Sequence, residues 1–238
     1  MCTVTFIPGR KGYRLGMNRD EQRSRAKGRP PERAEKNGSV LLSPSEPGGG
    51  TWIGLNDRGV TLALINWYSV NRRATKQPVS RGEIIPAARA SRSPEEVVAA
   101  LRALPLRRIN PFRLIGVFPA VKLIVEWCWD LEKLVARRHP WTAQQWISSG
   151  FDEPKAQRVR GATFRLAKRQ ASFGRLDWLR RLHRSHAPEP GPFSTCMHRS
   201  DAVSVSYTEV SVMGSRGAMV YHEGPPCGGE PVVSELNS

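Results

Sequence analysis

The chain has 238 residues, of which 39% are hydrophobic and seven are tryptophan, so it can enclose a sizeable core and does not have the composition of a disordered protein. No segment is apolar enough to span a bilayer, and the early Pro8-Gly9 turn argues against a signal peptide, so we expect a cytoplasmic protein. The net charge of +16 would attract anions, but arginine is spread along the whole chain and no nucleic-acid motif is present. Specific nucleic-acid binding is therefore disfavoured.

The first element of chemical interest is Cys2, directly after the start methionine. Methionine aminopeptidases act when the second side chain is small, and removal of Met1 would leave a thiol and a free α-amine on one residue. Such an amine titrates at about 7.7–8.0 and can accept the thiol proton. The alternative is that Cys2 is a small hydrophobic residue at the start of a strand. Its position alone leaves both interpretations open.

The N-terminal third predicts β-structure. Residues 2–7 are rich in β-branched side chains, and residues 13–20 alternate apolar and polar, so the two segments form a hairpin. This hairpin brings Arg19 and Asp20 back toward Cys2. Residues 22–39 are highly charged and contain Pro30-Pro31, which is typical of a surface loop.

A second hairpin is predicted around a turn at residues 56–59. The strand that follows, residues 60–65, is almost entirely apolar and should be covered on both faces. Asn66 stands at its end, where a side-chain amide needs hydrogen-bond partners.

The rest of the chain predicts helices and strands in separate runs. Ser93 and Glu96 form a capping box for a helix, and the stripe formed by Arg158, Arg165 and Arg169 indicates a solvated helix face. The predicted helices cover residues 80–90, 93–104, 151–172 and 176–182, and the predicted strands residues 114–118, 122–130, 131–138, 193–198, 202–212 and 218–221. This order predicts an antiparallel α+β layered fold in a single domain of residues 1–223. Residues 224–238, rich in proline and glycine, are expected to be a flexible tail.

The sequence offers little support for a metal site. The four cysteines are scattered and no C-x-x-C motif occurs. Cys196 lies close to His198, and His183 lies close to His186, but two ligands do not make a metal site. We therefore expect no metal and no cofactor.

Several blocks together resemble the NRDE family, the family of transport and Golgi organisation protein 2. The blocks are Cys2, Met17-Asn18-Arg19-Asp20-Glu21, Gly50-Thr51-Trp52-Ile53-Gly54, Leu64-Ile65-Asn66, Ser80-Arg81-Gly82, Cys196-Met197-His198-Arg199 and Tyr207-Thr208-Glu209-Val210. That family is similar to the N-terminal nucleophile hydrolases. The resemblance implies a four-layer αββα sandwich, in which helices cover two antiparallel sheets packed face to face.

The resemblance also implies a catalytic site, by analogy with cysteine-type amidases. Cys2 would attack an amide or acyl carbonyl, with its own α-amine as the base. Arg19 would stabilise the thiolate or orient the substrate, and Asp20 would accept a hydrogen bond from the α-amine. Asn66 would donate to the oxyanion, a contact whose loss typically costs about 2.7–4 kcal/mol in the barrier. Arg199 and Ser206 are candidates for further residues by location only.

Three functions stay open at this point. The first is a cysteine-nucleophile hydrolase acting on a small amide or acyl substrate. The second is a carrier without chemistry, binding haem or an acyl-coenzyme-A-like anion, for which His198 and His222 are candidate haem ligands. The third is nucleic-acid binding, which would show a steep salt dependence. We expect the partner to be a small molecule that is anionic or contains an amide.

Overall fold

The structure is a computed structural model that describes residues 2–228 and 231–236. Two antiparallel sheets form its centre. The strands of the first sheet are β1 (Cys2–Gly9), β2 (Gly12–Gln22), β10 (Gln144–Ser148), β11 (Ala202–Met213), β12 (Arg216–Glu223) and β13 (Pro231–Leu236). Their spatial order is β10-β1-β2-β11-β12-β13, so the N-terminal strand has a neighbour on each side.

The second sheet is built in chain order, each strand pairing with the next. Its strands are β3 (Arg29–Lys36), β4 (Ser39–Ser45), β5 (Ile53–Asn56), β6 (Thr61–Asn66), β7 (Phe112–Phe118), β8 (Leu123–Trp129) and β9 (Leu134–His139). Strand β6 is buried along most of its length, as its apolar sequence predicts.

The main core lies between the two sheets. Val4 of β1 and Leu15 of β2 contribute to it from the first sheet, and Ile53 and Ile65 contribute from the second. In β1, Cys2, Val4 and Phe6 all face this core, because successive side chains of a strand point to opposite faces.

Helices cover the outer faces of both sheets. They are α1 (Ile84–Ala87), α2 (Pro94–Ala103), α3 (Glu153–Ala167) and α4 (Leu176–Arg184). Helix α2 begins as predicted, with the Ser93 hydroxyl accepting a hydrogen bond from the Glu96 amide at 3.3 Å. Val97 and Leu101 of α2 pack on the second sheet, and Trp178 of α4 packs on the first. The predicted αββα sandwich is confirmed. Within the described residues, every helix is too short or too polar to cross a bilayer.

Some predicted elements differ from the structure. Residues 22–39, expected to be a loop, contain β3, whose Pro30 and Pro31 are tolerated because the strand lies at the edge of its sheet. Residues 193–198, expected to be a strand, form turns, in which the Ser194 hydroxyl donates to the Cys196 carbonyl at 2.6 Å. Strand β10 had no clear signal in the sequence.

The predicted tail also differs in part. Strand β13 lies within residues 224–238 and pairs antiparallel with β12. The proline and glycine residues before β13 therefore precede a paired strand, and Val232 and Val233 have the high strand propensity of β-branched residues. Residues 229–230 and 237–238 lie outside the described residues.

Candidate active site

A cleft of about 330 Å³ lies where the start of β1 meets the second sheet. Cys2, Arg19, Asp20 and Asn66, the residues singled out in the sequence, all line it. Three of them come from the first sheet, whereas Asn66 ends β6 in the second sheet. The packing of the two sheets therefore brings together residues that are far apart in the chain.

Cys2 is held from both sides. Its backbone pairs with Arg19 of β2 and Ser148 of β10, and its nitrogen donates to the Ser148 hydroxyl oxygen at 3.1 Å. Cys2 is only 7% exposed. Burial raises the pKa of its thiol, while the positive charges of the chain's amino terminus and Arg19 act in the opposite direction. A thiol with a raised pKa is protonated at neutral pH, so nucleophilic attack requires a base.

Arg19 is fixed against the wall of the cleft. Its guanidinium stacks over Trp52, 4.4 Å from the ring centroid, and forms an ion pair with Glu46 at 2.5 Å. Glu21 lies 3.8 Å from the same guanidinium. Trp52 belongs to the Gly-Thr-Trp block, so the packing connects this block with the Asn-Arg-Asp-Glu block.

Asp20 is fully buried and forms an ion pair with Arg160 of α3 at 3.0 Å. Its other carboxylate oxygen accepts a hydrogen bond from the Ser204 hydroxyl at 2.6 Å. Arg160 also donates to the Thr3 hydroxyl oxygen at 2.7 Å, and Thr3 is the residue next to Cys2. Arg160 was not among the residues predicted for the site, although its spacing from Ala156 and Phe164 places it on the buried face of α3.

Asn66 lies on the cleft at the end of its strand. Its side-chain amide donates to the Tyr68 hydroxyl oxygen at 2.8 Å, and its backbone is paired with Phe112 of β7. These contacts orient the amide at the end of β6. The need for hydrogen-bond partners, which the sequence predicts for this position, is met in part by Tyr68.

Arg81 is a further cation of the cleft, to which the sequence analysis gave no role. It lies in a short turn that is pressed against the Gly-rich segment before Trp52. A Cβ atom on Gly82 would lie 2.7 Å from the Gly50 Cα, and the Thr51 amide donates to the Gly82 carbonyl at 3.2 Å. Arg81 donates to the Pro111 carbonyl at 3.1 Å, and burial lowers the pKa of its guanidinium.

Asn18 has a structural position beneath the site. Its amide group donates to the backbone carbonyls of His183 and Thr195, at 2.9 and 2.7 Å. The Asn18 oxygen accepts from the His183 ring at 2.9 Å, and burial lowers the pKa of His183 to about 3. Asn18 thus joins β2 to α4 and to the loop that follows α4.

Arg199 and Ser206, the two candidates suggested by location alone, lie outside the cleft. Among the described residues, the lining of the cleft includes neither Arg199 nor Ser206. Arg199 forms an ion pair with Asp201 at 2.8 Å and stacks on Phe151, 4.6 Å from the ring centroid. Ser206 is buried in β11, opposite Arg19.

Away from the cleft, the structure brings together His186, Cys196, His198 and Cys227. The expectation of no metal rested on two pairs of residues close in sequence, Cys196 with His198 and His183 with His186. In the fold, His186 and Cys227 join Cys196 and His198. His183, paired with His186 in the sequence analysis, contacts Asn18 instead. Of the two haem ligands suggested above, His222 is buried, with its ring 5.5 Å from that of Tyr207, whereas His198 belongs to this cluster.

Comparison with models of protein families shows to which family the chain belongs. Residues 1–125 match the family model described as Transport and Golgi organisation 2. The chain belongs to this family. The matched region includes β1, β2 and β6, and so all four residues predicted for the site. Comparison with curated proteins gives no match.

Two solved structures with a similar fold are an acylase and a bile acid hydrolase. Penicillin V acylase from Agrobacterium tumefaciens superposes with a TM-score of 0.59 at 10% identity, over 99% of this chain and 86% of that chain. A C2A mutant of the conjugated bile acid hydrolase from Clostridium perfringens gives 0.55 at 10% identity, over 100% and 97%. The fold is therefore that of the N-terminal nucleophile hydrolases.

Proposed function

We propose that the protein is an N-terminal-cysteine hydrolase that cleaves a small amide or acyl substrate. The observation that carries this proposal is the convergence of Cys2, Arg19, Asn66 and Arg81 on one cleft. A buried thiol, two cations and an amide donor around one cavity are the parts that acyl transfer requires. The C2A mutant of the bile acid hydrolase supports the proposal, because that protein of the same fold also has cysteine at its second position.

The reaction begins with removal of Met1, which lies outside the described residues. The Cys2 nitrogen then becomes a primary amine, and the Ser148 hydroxyl at 3.1 Å is placed to hold it. Because burial raises the pKa of the thiol, the neutral amine accepts the thiol proton as the sulfur attacks the carbonyl carbon. Asp20, behind the start of β1, contributes negative charge that favours the resulting ammonium ion, although its ion pair with Arg160 offsets part of this charge.

The negative charge that develops on the carbonyl oxygen requires donors. Asn66, on the opposite sheet, supplies an amide N–H to this oxygen. Arg81 and Arg19 provide positive charge at the same cleft, although Glu46 and Glu21 offset part of the charge of Arg19. Arg81, which donates to a backbone carbonyl, is therefore the cation that would favour a substrate with a carboxylate or another anionic group near the scissile bond.

The cycle closes in two further steps. As the tetrahedral intermediate collapses, the carbon–nitrogen bond breaks and the ammonium group of Cys2 returns its proton to the leaving amine. The acyl group remains on the sulfur as a thioester. Water, deprotonated by the same amine, then attacks the thioester, releases a carboxylic acid and restores the thiol.

Intact mass measured before and after incubation with an activated acyl ester tests this proposal. We expect loss of Met1 and one acyl adduct, which peptide mapping assigns to Cys2 and which is absent in Cys2→Ala. Cys128→Ala is the matched control, because Cys128 is buried in β8 and lies outside the cleft. Mapping also separates the adduct at Cys2 from adducts at Cys227, which is exposed.

Retained Met1, or labelling confined to the other cysteines, would contradict the mechanism. Titration with haem or an acyl-coenzyme A would then test the carrier alternative. A carrier would bind its ligand stoichiometrically without turnover, and it would bind equally well in Cys2→Ala.

A further inference from the structure

Two histidines and two cysteines outside the cleft converge on one point. They are His186, Cys196, His198 and Cys227, and their side-chain nitrogen and sulfur atoms all lie within 4.8 Å of one another. Cys196 is buried, the two histidines are half-buried and Cys227 is exposed. The cluster therefore lies at the surface, with one side open to solvent.

Three of the six distances between these atoms, all of them from His198 Nε2, agree with tetrahedral coordination. His198 Nε2 lies 3.2 Å from His186 Nε2, 3.4 Å from Cys196 Sγ and 3.5 Å from Cys227 Sγ. Zinc bonds of about 2.0–2.1 Å to nitrogen and 2.3 Å to sulfur place two nitrogens about 3.3–3.4 Å apart in a tetrahedron. The same bonds place a nitrogen and a sulfur about 3.5 Å apart. All three measured separations are within about 0.2 Å of these values.

The backbone holds the cluster from three segments. His186 follows the end of α4, Cys196 and His198 lie in the turns before β11, and Cys227 lies beyond β12. The Cys196 amide donates to the Ser185 carbonyl at 3.0 Å, which fixes the first two segments to each other. Beyond β12, the Gly224 amide donates to the Val205 carbonyl of β11 at 2.9 Å. This hydrogen bond holds the third segment, which carries Cys227, next to β11.

We propose that these four residues bind one zinc ion. A set of two imidazoles and two thiolates suits zinc in tetrahedral geometry, and hard cations such as Mg²⁺ prefer oxygen ligands. Four protein ligands fill the coordination shell and leave no open position for a substrate, so the site is structural. It is separate from the proposed hydrolase centre and does not depend on it.

The site would stabilise a connection that reaches the cleft. Met197 lies between the ligands Cys196 and His198, and its amide donates to the Ser204 hydroxyl oxygen at 2.9 Å. The Ser204 hydroxyl in turn donates to Asp20 at 2.6 Å. Zinc bound by Cys196 and His198 would therefore hold the backbone that positions a partner of Asp20.

Metal content of the purified full-length protein tests this inference. The protein is produced without a histidine tag, loaded with zinc, freed of excess metal by gel filtration and analysed by mass spectrometry for metals. We expect about one zinc ion per chain in the wild type and well below one in Cys227→Ser and His186→Ala. These two positions are exposed and half-buried, so both variants should fold. Cys2→Ala is the matched control and should retain the zinc.

Cobalt substitution and thermal unfolding give independent readouts. Cobalt in the site should show the visible absorption of a tetrahedral thiolate complex, which Cys227→Ser should lack. Removal of zinc should lower the melting temperature of the wild type by about 5–10 °C and leave that of Cys227→Ser unchanged. Absence of zinc after loading, equal zinc in the variants, or a Cys196–Cys227 disulfide in the reduced preparation would overturn the proposal.

Discussion

At the scale of single residues, the Asn-Arg-Asp-Glu block is explained by the alternation of a strand. Arg19 points toward the cleft and stacks on Trp52, whereas Asn18 and Asp20 point toward the helices. One strand thus presents a charged group to the candidate site and two anchors to the layer behind it. The Asp20 and Arg160 charges are both fully buried, so each depends on the other for compensation.

His183 makes the stability of the fold sensitive to acid. Burial, reinforced by Arg160, lowers its pKa to about 3, whereas an unfolded histidine titrates near 6.5. The contribution of neutral His183 is therefore complete above about pH 6.5 and is lost as pH falls toward 3. At about 1.4 kcal/mol per pKa unit, the full loss is on the order of 5 kcal/mol. Urea unfolding at a series of pH values measures it.

His183→Asn is the matched variant for this prediction. Its side-chain amide can take the place of the ring nitrogen that donates to Asn18, and it does not titrate in this range. The variant should be less stable than the wild type at pH 7, and the difference should shrink as pH falls from 6.5 to 4. A constant difference would mean that protonation of His183 does not couple to unfolding.

At the scale of elements, the cleft depends on the close packing of two glycine-containing turns. We expect Gly82→Ala to destabilise the protein by about 1–3 kcal/mol, because its Cβ would lie 2.7 Å from the Gly50 backbone. The same clash displaces Arg81, so acylation of Cys2 should also slow. Denaturant unfolding and the rate of labelling by the acyl ester measure the two effects.

Gly161→Ala in α3 is the control for this prediction. A Cβ there would meet only the end of the Arg165 side chain, at 3.4 Å. Alanine is favoured over glycine in a helix by about 1 kcal/mol, so this variant should be as stable as the wild type or more stable. Equal effects of the two substitutions would show that the contact between Gly50 and Gly82 has no special importance.

The elements also show how far the sequence could predict the structure. The β1–β2 hairpin is local, so composition and alternation predicted that Arg19 and Asp20 return toward Cys2, and in the structure Arg19 pairs directly with Cys2. Ser148 and Arg160 reach the same strands from well over a hundred residues away, and no local pattern reveals such pairings. The Cys/His cluster could not be predicted for the same reason, since Cys227 reaches it through the pairing of β12 with β11.

At the scale of the whole molecule, the net charge of +16 should oppose compaction. Salt screens this repulsion, with a Debye length that falls from about 30 Å at 0.01 M to about 8 Å at 0.15 M. We expect this increase in sodium chloride to raise the melting temperature by roughly 2–4 °C, equivalent to about 1 kcal/mol. A lower melting temperature in salt would mean that surface ion pairs such as Arg72–Glu132 outweigh the repulsion.

The position of β1 inside its sheet has a consequence for the timing of maturation. Once β2 and β10 have paired with it, Cys2 is 7% exposed and its nitrogen is hydrogen-bonded to Ser148, which we expect to hinder an aminopeptidase. Strand β10 ends at Ser148, and synthesis at about 5–20 residues per second would complete it roughly 7–30 seconds after Cys2. On the proposed function, we expect Met1 to be removed before β10 pairs with β1, and so within about the time of synthesis. The fraction of active protein would therefore depend on the rate of Met1 removal relative to the rate of synthesis and folding. A molecule that folds with Met1 still attached would stay inactive.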